Sequence, residues 1–126
     1  MLTTVQWKQR AYLWMNGGVF ELARYDVYRN IGQYANAVPY LVDVQSDLLY
    51  GLETRIVVPL RRRESFPDEP LPERLIPIFE IEGIACLLET PKLAAVPLRL
   101  LKKPVTSLAE NHAIITTALD FLFQGY

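Results

Sequence analysis

The middle of the chain alternates apolar and polar side chains over short segments, a period typical of half-buried β-strands. The alternation begins in "LARYDVYRN" and returns in "YLVDVQSDLL", after the turn-forming stretch "NIGQYANAVP". The second segment places Tyr40, Val42 and Val44 on one face and Leu41, Asp43 and Gln45 on the other. The two segments predict antiparallel strands joined by a long hairpin loop.

Further strands are predicted between this pair and the C-terminal region. The β-branched segment "TRIVVPL" should end at Pro59, where a proline removes a ladder donor. The charged, proline-containing stretch from Arg61 to Glu73 predicts a surface loop, and "RLIPIFEIEG" with "IACLLET" predicts a hairpin turning at Glu82-Gly83. The prolines of "PKLAAVPLRLLKKP" exclude a continuous helix and favour a short edge strand.

The last segment has helical rather than strand periodicity. The sequence from Ser107 to Glu110 fits a capping box, which predicts a helix start there. Apolar residues recur at helical spacing at Leu108, Ile115, Ala118, Leu119 and Leu122, with Ile114 beside them. Because a helix turns about 100° per residue, Phe121 and Phe123 flank this stripe. The predicted fold class is mainly β (α+β), with an antiparallel sheet and one C-terminal helix.

Composition narrows the range of function classes. A chain of 126 residues suits one compact domain, and 51% hydrophobic residues with a mean hydropathy of +0.11 suit a soluble protein. The net charge of −1 disfavours nucleic acid as a direct partner. The basic run Arg61-Arg62-Arg63 lies among acidic residues and prolines, so a solvated loop explains it better than a phosphate-binding patch.

Candidate chemistry is sparse. Cys86 has no intramolecular partner and lies in the apolar run "GIACLLE", so it is predicted to be a small buried residue. The single histidine, His112, has no companion that would make it a general base or a metal ligand, so we expect an exposed or satisfied helix histidine. Phosphate-binding loops, zinc-ligand spacings and nucleophile motifs are absent from the sequence. We therefore expect no catalytic residue, no bound metal and no cofactor.

Residues 1–20 differ from the remainder. Their apolar run is too short and interrupted for a signal peptide or a membrane span, so we expect a cytoplasmic protein. Gly17-Gly18 should separate this leader from the residues that follow. The leader is interpreted as a misassigned start codon or a disordered extension. The alternative is a genuine extension whose Trp7, Tyr12 and Trp14 cover a surface patch.

The order of segments resembles the CcdB family of plasmid-addiction toxins. The resemblance runs from "YLVDVQSDLL" through "TRIVVPL", "PIFEIEG" and "LAAVP" to a terminal helix that ends in Gly and one large residue, and it covers the chain from Leu22. It implies an SH3-like, CcdB/MazF-like antiparallel barrel over residues 21–126, closed by the C-terminal helix and assembled as a homodimer. It also implies a non-catalytic poison of the DNA gyrase A subunit that traps cleaved DNA.

The resemblance implies a second partner as well. A CcdA-type antitoxin would neutralise the toxin through a segment that folds on binding. Operator DNA would be contacted only indirectly, through that repressor complex, and no membrane is involved. By matching family positions, the expected antitoxin-binding residues are Val42, Asp43, Ser46 and Asp47. Ordinary solvation on the polar face of a strand is the competing interpretation of Asp43 and Asp47.

The family contacts gyrase chiefly through the end of its helix and through an aliphatic pair after the "VQSD" strand. The matching residues, which we expect to bind gyrase, are Leu48, Leu49, Asp120, Phe123, Gln124, Gly125 and Tyr126. In a two-fold dimer both C-termini can form one apolar surface, and Gly125 leaves Tyr126 free to project. Gln124 replaces a family tryptophan, whose stacking on a target arginine would contribute about 0.5–2 kcal/mol.

Four alternatives remain open at this point. The terminal aromatic residues could close the dimer core, and the Leu48-Leu49 pair could pack on the barrel. The chain could also be a MazF-like endoribonuclease, with Arg24, Arg29 and Arg55 supplying positive charge but no matching general base. Finally, it could be an inactive toxin-like protein that only binds antitoxin.

Overall fold

A computed structural model describes residues 3–7, 10–15, 18–47, 49, 52–66 and 70–125. Within these residues the chain forms ten strands and one α-helix: β1 (Thr3–Trp7), β2 (Arg10–Met15), β3 (Gly18–Leu22), β4 (Asp26–Arg29), β5 (Tyr40–Asp43), β6 (Thr54–Arg62), β7 (Ile78–Ile81), β8 (Ile84–Leu88), β9 (Ala94–Pro97), β10 (Thr106–Ser107) and α1 (His112–Gln124). Short 3-10 turns occur at Arg63–Ser65, Thr90–Lys92, Leu98–Leu100 and Ala109–Asn111.

Strands β4 to β10 form a nearly closed antiparallel barrel. The strand order is β10-β4-β5-β6-β8-β7, and β9 pairs with β6. Strand β6 is shared, because its first half pairs with β9, its last residues pair with β8, and β5 lies along its opposite edge. The long loop between β4 and β5, the short edge strand β9 and the single C-terminal helix confirm the predicted fold class.

The prediction that a strand ends at Pro59 is wrong, because β6 continues to Arg62. A strand residue in an antiparallel ladder directs its N–H and its C=O toward the same neighbour. The carbonyl of Pro59 accepts a hydrogen bond from the Glu89 N–H at 2.9 Å, on the side away from β5. Pro59 therefore falls between the β6 residues that pair with β9 and those that pair with β8, and its lack of an N–H breaks neither ladder.

The predicted loop from Arg61 also begins too early. Arg61 and Arg62 belong to β6, and the Arg61 Nε donates to Glu89 Oε1 at 2.8 Å. The Arg62 Nε donates to the carbonyl of Asn36, in the β4–β5 loop. Two residues of the basic run therefore belong to a barrel strand, and Arg62 also holds the neighbouring β4–β5 loop. The run is not simply solvated.

The hairpin of β7 and β8 turns at Glu82-Gly83, as predicted. Both residues have positive φ, 50° and 79°, the conformation that a tight two-residue hairpin turn requires. Glu82 is held by two hydrogen bonds, from the Tyr40 hydroxyl at 2.6 Å and from Arg29 Nη2 at 2.9 Å. Burial and the neighbouring carboxylate raise the pKa of Tyr40 to about 12, and the hydrogen bond from Tyr40 lowers the pKa of Glu82.

The barrel interior is filled by apolar side chains from its strands and from the buried face of α1. The fully or nearly fully buried members are Val27, Tyr40, Val42, Val44, Val58, Leu60, Phe79, Ile81, Cys86, Leu88, Leu108, Ile115 and Ala118. Tyr40, Val42 and Val44 share one face of their segment, as the alternation predicted. Cys86 is a free, buried thiol, which confirms its interpretation, and burial raises its pKa.

The C-terminal helix begins at His112, later than the capping box predicts. Ser107 pairs in β10 with Asp26 of β4, and its hydroxyl accepts the Ala109 N–H at 3.1 Å. Ala109–Asn111 then form a 3-10 turn, and α1 itself has no side-chain cap hydrogen bond. Ser107 therefore caps the turn that leads into the helix, because pairing with β4 keeps it extended.

The buried stripe of α1 largely follows its predicted spacing. Ile115 and Ala118 are fully buried, whereas Leu119 and Leu122 are half-buried. Ile114, beside the stripe, is exposed. His112 is exposed, and its Nδ1 lies 2.8 Å from the Ala109 carbonyl, so the prediction of an exposed or satisfied helix histidine is confirmed.

The predicted leader contains strands β1 and β2 and the first residues of β3. These strands form a separate three-stranded antiparallel sheet, with Thr3 opposite Trp14 and Leu13 opposite Phe20. The boundary between a leader and a toxin-like domain stays a prediction. Within the described part of the chain, no helix is long and apolar enough to cross a membrane.

Candidate partner-binding site

The first candidate region is the end of α1, called here the C-terminal tip and comprising Asp120, Phe123, Gln124, Gly125 and Tyr126. Asp120, Phe123 and Gln124 are exposed. Gly125 has a φ of 79°, and its N–H donates to the Phe121 carbonyl at 2.9 Å, so the helix ends in a left-handed cap. Tyr126 lies outside the described residues.

The two phenylalanines of the last helical turns have different environments. Phe121 is half-buried, and the guanidinium carbon of Arg74 lies 5.3 Å from its ring centroid. Phe123 is 71% exposed, although a phenyl ring gains free energy when it leaves water. Both flank the buried stripe, as predicted, but only Phe123 presents most of its ring to solvent. Sequence periodicity alone could not make this distinction.

The second candidate region is the loop that follows β5. Strand β5 ends at Asp43, earlier than predicted, because the Asp43 carboxylate accepts the N–H of Gln45 at 3.0 Å and turns the chain. Leu49 is 52% exposed, and its N–H donates to the Ser46 carbonyl at 3.0 Å. The other leucine of the predicted pair, Leu48, lies outside the described residues.

A buried ion pair lies beneath this loop. Arg55 Nε donates to Asp43 Oδ2 at 2.8 Å, and the two side chains are 1% and 0% exposed. Arg55 Nη2 reaches the Gln45 carbonyl at 3.1 Å and Asp47 Oδ1 at 3.4 Å. We call Asp43, Gln45, Asp47 and Arg55 the Arg55 cluster. Burial raises the pKa of Asp43 to about 6, although the adjacent guanidinium opposes that rise.

These contacts correct part of the interpretation of the predicted antitoxin-binding residues. Asp43 is not solvated, because it is the buried counter-ion of Arg55. Val42 belongs to the barrel core, whereas Ser46 and Asp47 are only half-buried. The Asp47 carboxylate also accepts the Arg24 N–H at 2.8 Å. Ser46 and Asp47 are therefore the two of these residues that reach the surface.

Tyr25 connects the two candidate regions, a role that no pattern in the sequence indicated. Its φ of 76° is unusual for a residue with a large side chain. Its N–H donates to the Asp43 carbonyl at 2.6 Å, and its hydroxyl lies 3.4 Å from Thr116 Oγ1 on α1. Its ring also faces His112 at a centroid distance of 6.1 Å. The loop and the helix are thus joined through one residue.

The arginines considered for RNA cleavage are engaged elsewhere. Arg55 is buried, Arg24 Nε donates to the Val44 carbonyl, and Arg29 pairs with Glu82. A buried guanidinium cannot contact a scissile phosphate, so Arg55 does not fit the role considered for it in RNA cleavage, whereas the Arg29 side chain is 61% exposed. Among the residues that the structure describes, no group of three or more His, Cys, Asp or Glu side chains could hold a metal ion.

Comparison with known proteins identifies one family. The family model described as CcdB protein matches residues 24–125, which cover the barrel and α1 and exclude β1 to β3. The search of curated proteins found no match.

Proposed function

The chain belongs to the CcdB family, which makes it a toxin of a toxin–antitoxin system, and we propose that it acts by poisoning DNA gyrase. In this proposal the protein is a non-catalytic inhibitor that works in the cytoplasm. It binds the gyrase A subunit while the enzyme holds cleaved DNA, and it prevents religation. A CcdA-type antitoxin neutralises it and carries the only link to operator DNA.

The exposed ring of Phe123 is the observation that supports this proposal most directly. An aromatic side chain that is 71% exposed on the last turn of a helix has apolar area available for a partner. The left-handed cap at Gly125 gives the end of the helix a defined direction. In a two-fold homodimer, which we also propose, two such tips would form one self-complementary surface.

The proposed gyrase contacts are the C-terminal tip with Leu48 and Leu49 of the β5–β6 loop. Leu49 is exposed enough to take part, which favours target binding over packing on the barrel. Gln124 cannot stack on an arginine as an indole can, so the aromatic contact passes to Phe123 and Tyr126. For the antitoxin, the proposed surface contacts are Ser46 and Asp47, while Val42 supports them from the barrel interior and Asp43 supports them as the buried counter-ion of Arg55.

A gyrase cleavage assay tests the proposal. Purified full-length protein is incubated with supercoiled plasmid, ATP and gyrase from the organism that encodes the chain. We expect linear DNA to accumulate, and we expect a chain that lacks residues 124–126 to lose this effect while it keeps its fold. Unchanged supercoiling and cleavage with the full-length protein would contradict gyrase poisoning.

Gln124, which stands where the family has a tryptophan, supports one alternative function, that of a protein that only binds antitoxin. If its side chain has removed target binding, the chain binds antitoxin and is harmless when expressed. Induction without antitoxin separates the two functions, because a gyrase poison stops growth and causes double-strand breaks. Normal growth at a verified protein level would favour the antitoxin-binding alternative.

A further inference from the structure

Arg55 is a buried cation whose position is fixed by several directed contacts. Its Nε donates a hydrogen bond to the Asp43 carboxylate, and its Nη2 donates to the Gln45 carbonyl and to the Asp47 carboxylate. Its Nη1 is also buried and has no hydrogen-bond partner in the described structure. The guanidinium is therefore only partly satisfied, although it is 1% exposed.

This arrangement is unfavourable if stability is its only purpose. Removing two charges from water is unfavourable, and a buried polar atom without a partner adds to that cost. Other positions of the same strand, Val57, Val58 and Leu60, fill the interior with apolar side chains at no such cost. A buried, partly satisfied arginine next to apolar strand residues therefore indicates a function beyond packing.

The hydrogen bonds around Gln45 show what the buried cation organises. The Gln45 N–H donates to Asp43 Oδ1 and its carbonyl accepts from Arg55, so its backbone is held on both sides. Its side-chain Oε1 accepts the Ile56 N–H at 3.0 Å, and its Nε2 donates to the Leu49 carbonyl at 3.2 Å. Gln45 thus transmits the position of Arg55 to Leu49.

We propose that Arg55 is a positioning residue for gyrase binding: through its contacts with Gln45 and Asp47 it fixes the described part of the β5–β6 loop, and so presents Leu49 to the target. This inference rests on the proposed function. Preorganisation of this kind strengthens binding because the loop loses less conformational freedom when the partner arrives. The exposed Leu49 is the contacting residue, and Arg55 itself touches no partner.

The geometry requires arginine and not merely a positive charge. The planar guanidinium donates to Asp43 from Nε and to the Gln45 carbonyl from Nη2, and the plane of the group fixes the directions of both bonds. A lysine would still neutralise Asp43, but its single ammonium could not hold Gln45 and Asp47 in the same directions. Arg55→Lys should therefore keep the counter-ion and loosen the loop.

Arg61 supplies a matched control. It lies on the same strand, and its Nε donates to Glu89 Oε1 at the same distance of 2.8 Å, but it contacts no described residue of the β5–β6 loop. Arg61→Lys therefore perturbs an ion pair of the same length and the same strand, with side chains 26% and 7% exposed, away from the proposed target surface. Gln45→Met provides a second variant that keeps the Arg55–Asp43 pair and removes both side-chain hydrogen bonds of Gln45, to the Leu49 carbonyl and from the Ile56 N–H.

The experiment measures two quantities for the wild type and the three variants. Affinity for the immobilised gyrase A subunit of the encoding organism is measured by surface plasmon resonance, and exchange of the Leu49 amide by NMR. We expect Arg55→Lys and Gln45→Met to weaken binding by about tenfold or more and to accelerate Leu49 exchange relative to core amides. Arg61→Lys should change neither quantity by more than about twofold.

The outcomes separate this inference from the proposal on which it rests. Wild-type affinity in Arg55→Lys or Gln45→Met, with Leu49 exchange accelerated, would overturn the positioning role and leave gyrase poisoning intact. An equal loss of affinity in Arg61→Lys would also overturn it, because the effect would then reflect general destabilisation. A wild-type chain that does not bind gyrase would overturn both.

Discussion

Truncation of Phe123 distinguishes a binding surface from a structural core. Replacing a fully buried phenylalanine by alanine costs about 3–5 kcal/mol of stability. Because Phe123 is 71% exposed, only about three-tenths of that contact is lost, and we expect Phe123→Ala to lower the free energy of unfolding by about 1 kcal/mol. Ile115→Ala, on the buried face of the same helix, should cost about 2–5 kcal/mol.

In contrast to its small effect on stability, Phe123→Ala should have a large effect on target binding. An aromatic anchor at the centre of an interface commonly contributes 2 kcal/mol or more, so Phe123→Ala should weaken gyrase binding by about 30-fold or more. Tyr34→Ala is the matched control, because Tyr34 is an aromatic residue with 69% exposure on the β4–β5 loop. We expect it to leave gyrase affinity unchanged.

Urea unfolding followed by circular dichroism measures stability, and calorimetry measures affinity for the gyrase A subunit. Unfolding is repeated over a range of protein concentrations. A stability loss in Phe123→Ala that matches Ile115→Ala and grows on dilution would refute the reasoning, because it would place the ring in the dimer core. Equal gyrase affinity for Phe123→Ala and Tyr34→Ala would refute it independently.

Three further predictions follow from single residues. Burial raises the pKa of Asp43 from 3.8 to about 6, so on acidification the folded chain takes up a proton at Asp43 before the unfolded chain does. The free energy of unfolding should therefore increase by about 1 kcal/mol between about pH 7 and about pH 5, and this gain is lost when the pH is raised through 6. Asp43→Asn should lack this slope in urea titrations. Gly125→Ala meets no atom within 4 Å but must adopt a φ of 79°, so it should cost about 1–2 kcal/mol locally and weaken gyrase binding in the same calorimetric assay. Cys86, buried and with a raised pKa, should react with a thiol reagent only at the rate of unfolding, which a reaction rate proportional to thiolate in the folded state would contradict.

Local patterns were sufficient where neighbouring residues determine the structure. The alternation from Tyr40 to Val44 correctly assigned the core face, since side chains in a strand alternate by geometry alone. The Glu82-Gly83 turn was equally predictable, because its two flanking segments and its turn residues agree. These are contacts over short sequence distances.

Predictions failed where a distant partner determines the outcome. Asp43 looks like a solvated strand residue until β5 and β6 pair and bring Arg55 beneath it. Pro59 looks like a strand end until the pairing shows that it lies between the residues of β6 that pair with β9 and those that pair with β8. Ser107 has the sequence of a helix cap, but its pairing with β4 keeps it in a strand. For partner binding, the sequence indicated the tip and the loop, which stay predictions, and it did not indicate the Arg55 cluster.

The shared strand β6 has a consequence for synthesis of the protein. One edge of β6 can pair with β5 early, but its other edge waits for β8 and then for Ala94–Pro97, about 40 residues further along. Until those segments leave the ribosome, a strand that contains four β-branched residues, Thr54, Ile56, Val57 and Val58, has an open edge, which is a template for association with other chains. The nascent toxin should therefore be a substrate for ribosome-bound chaperones before it is able to meet its target.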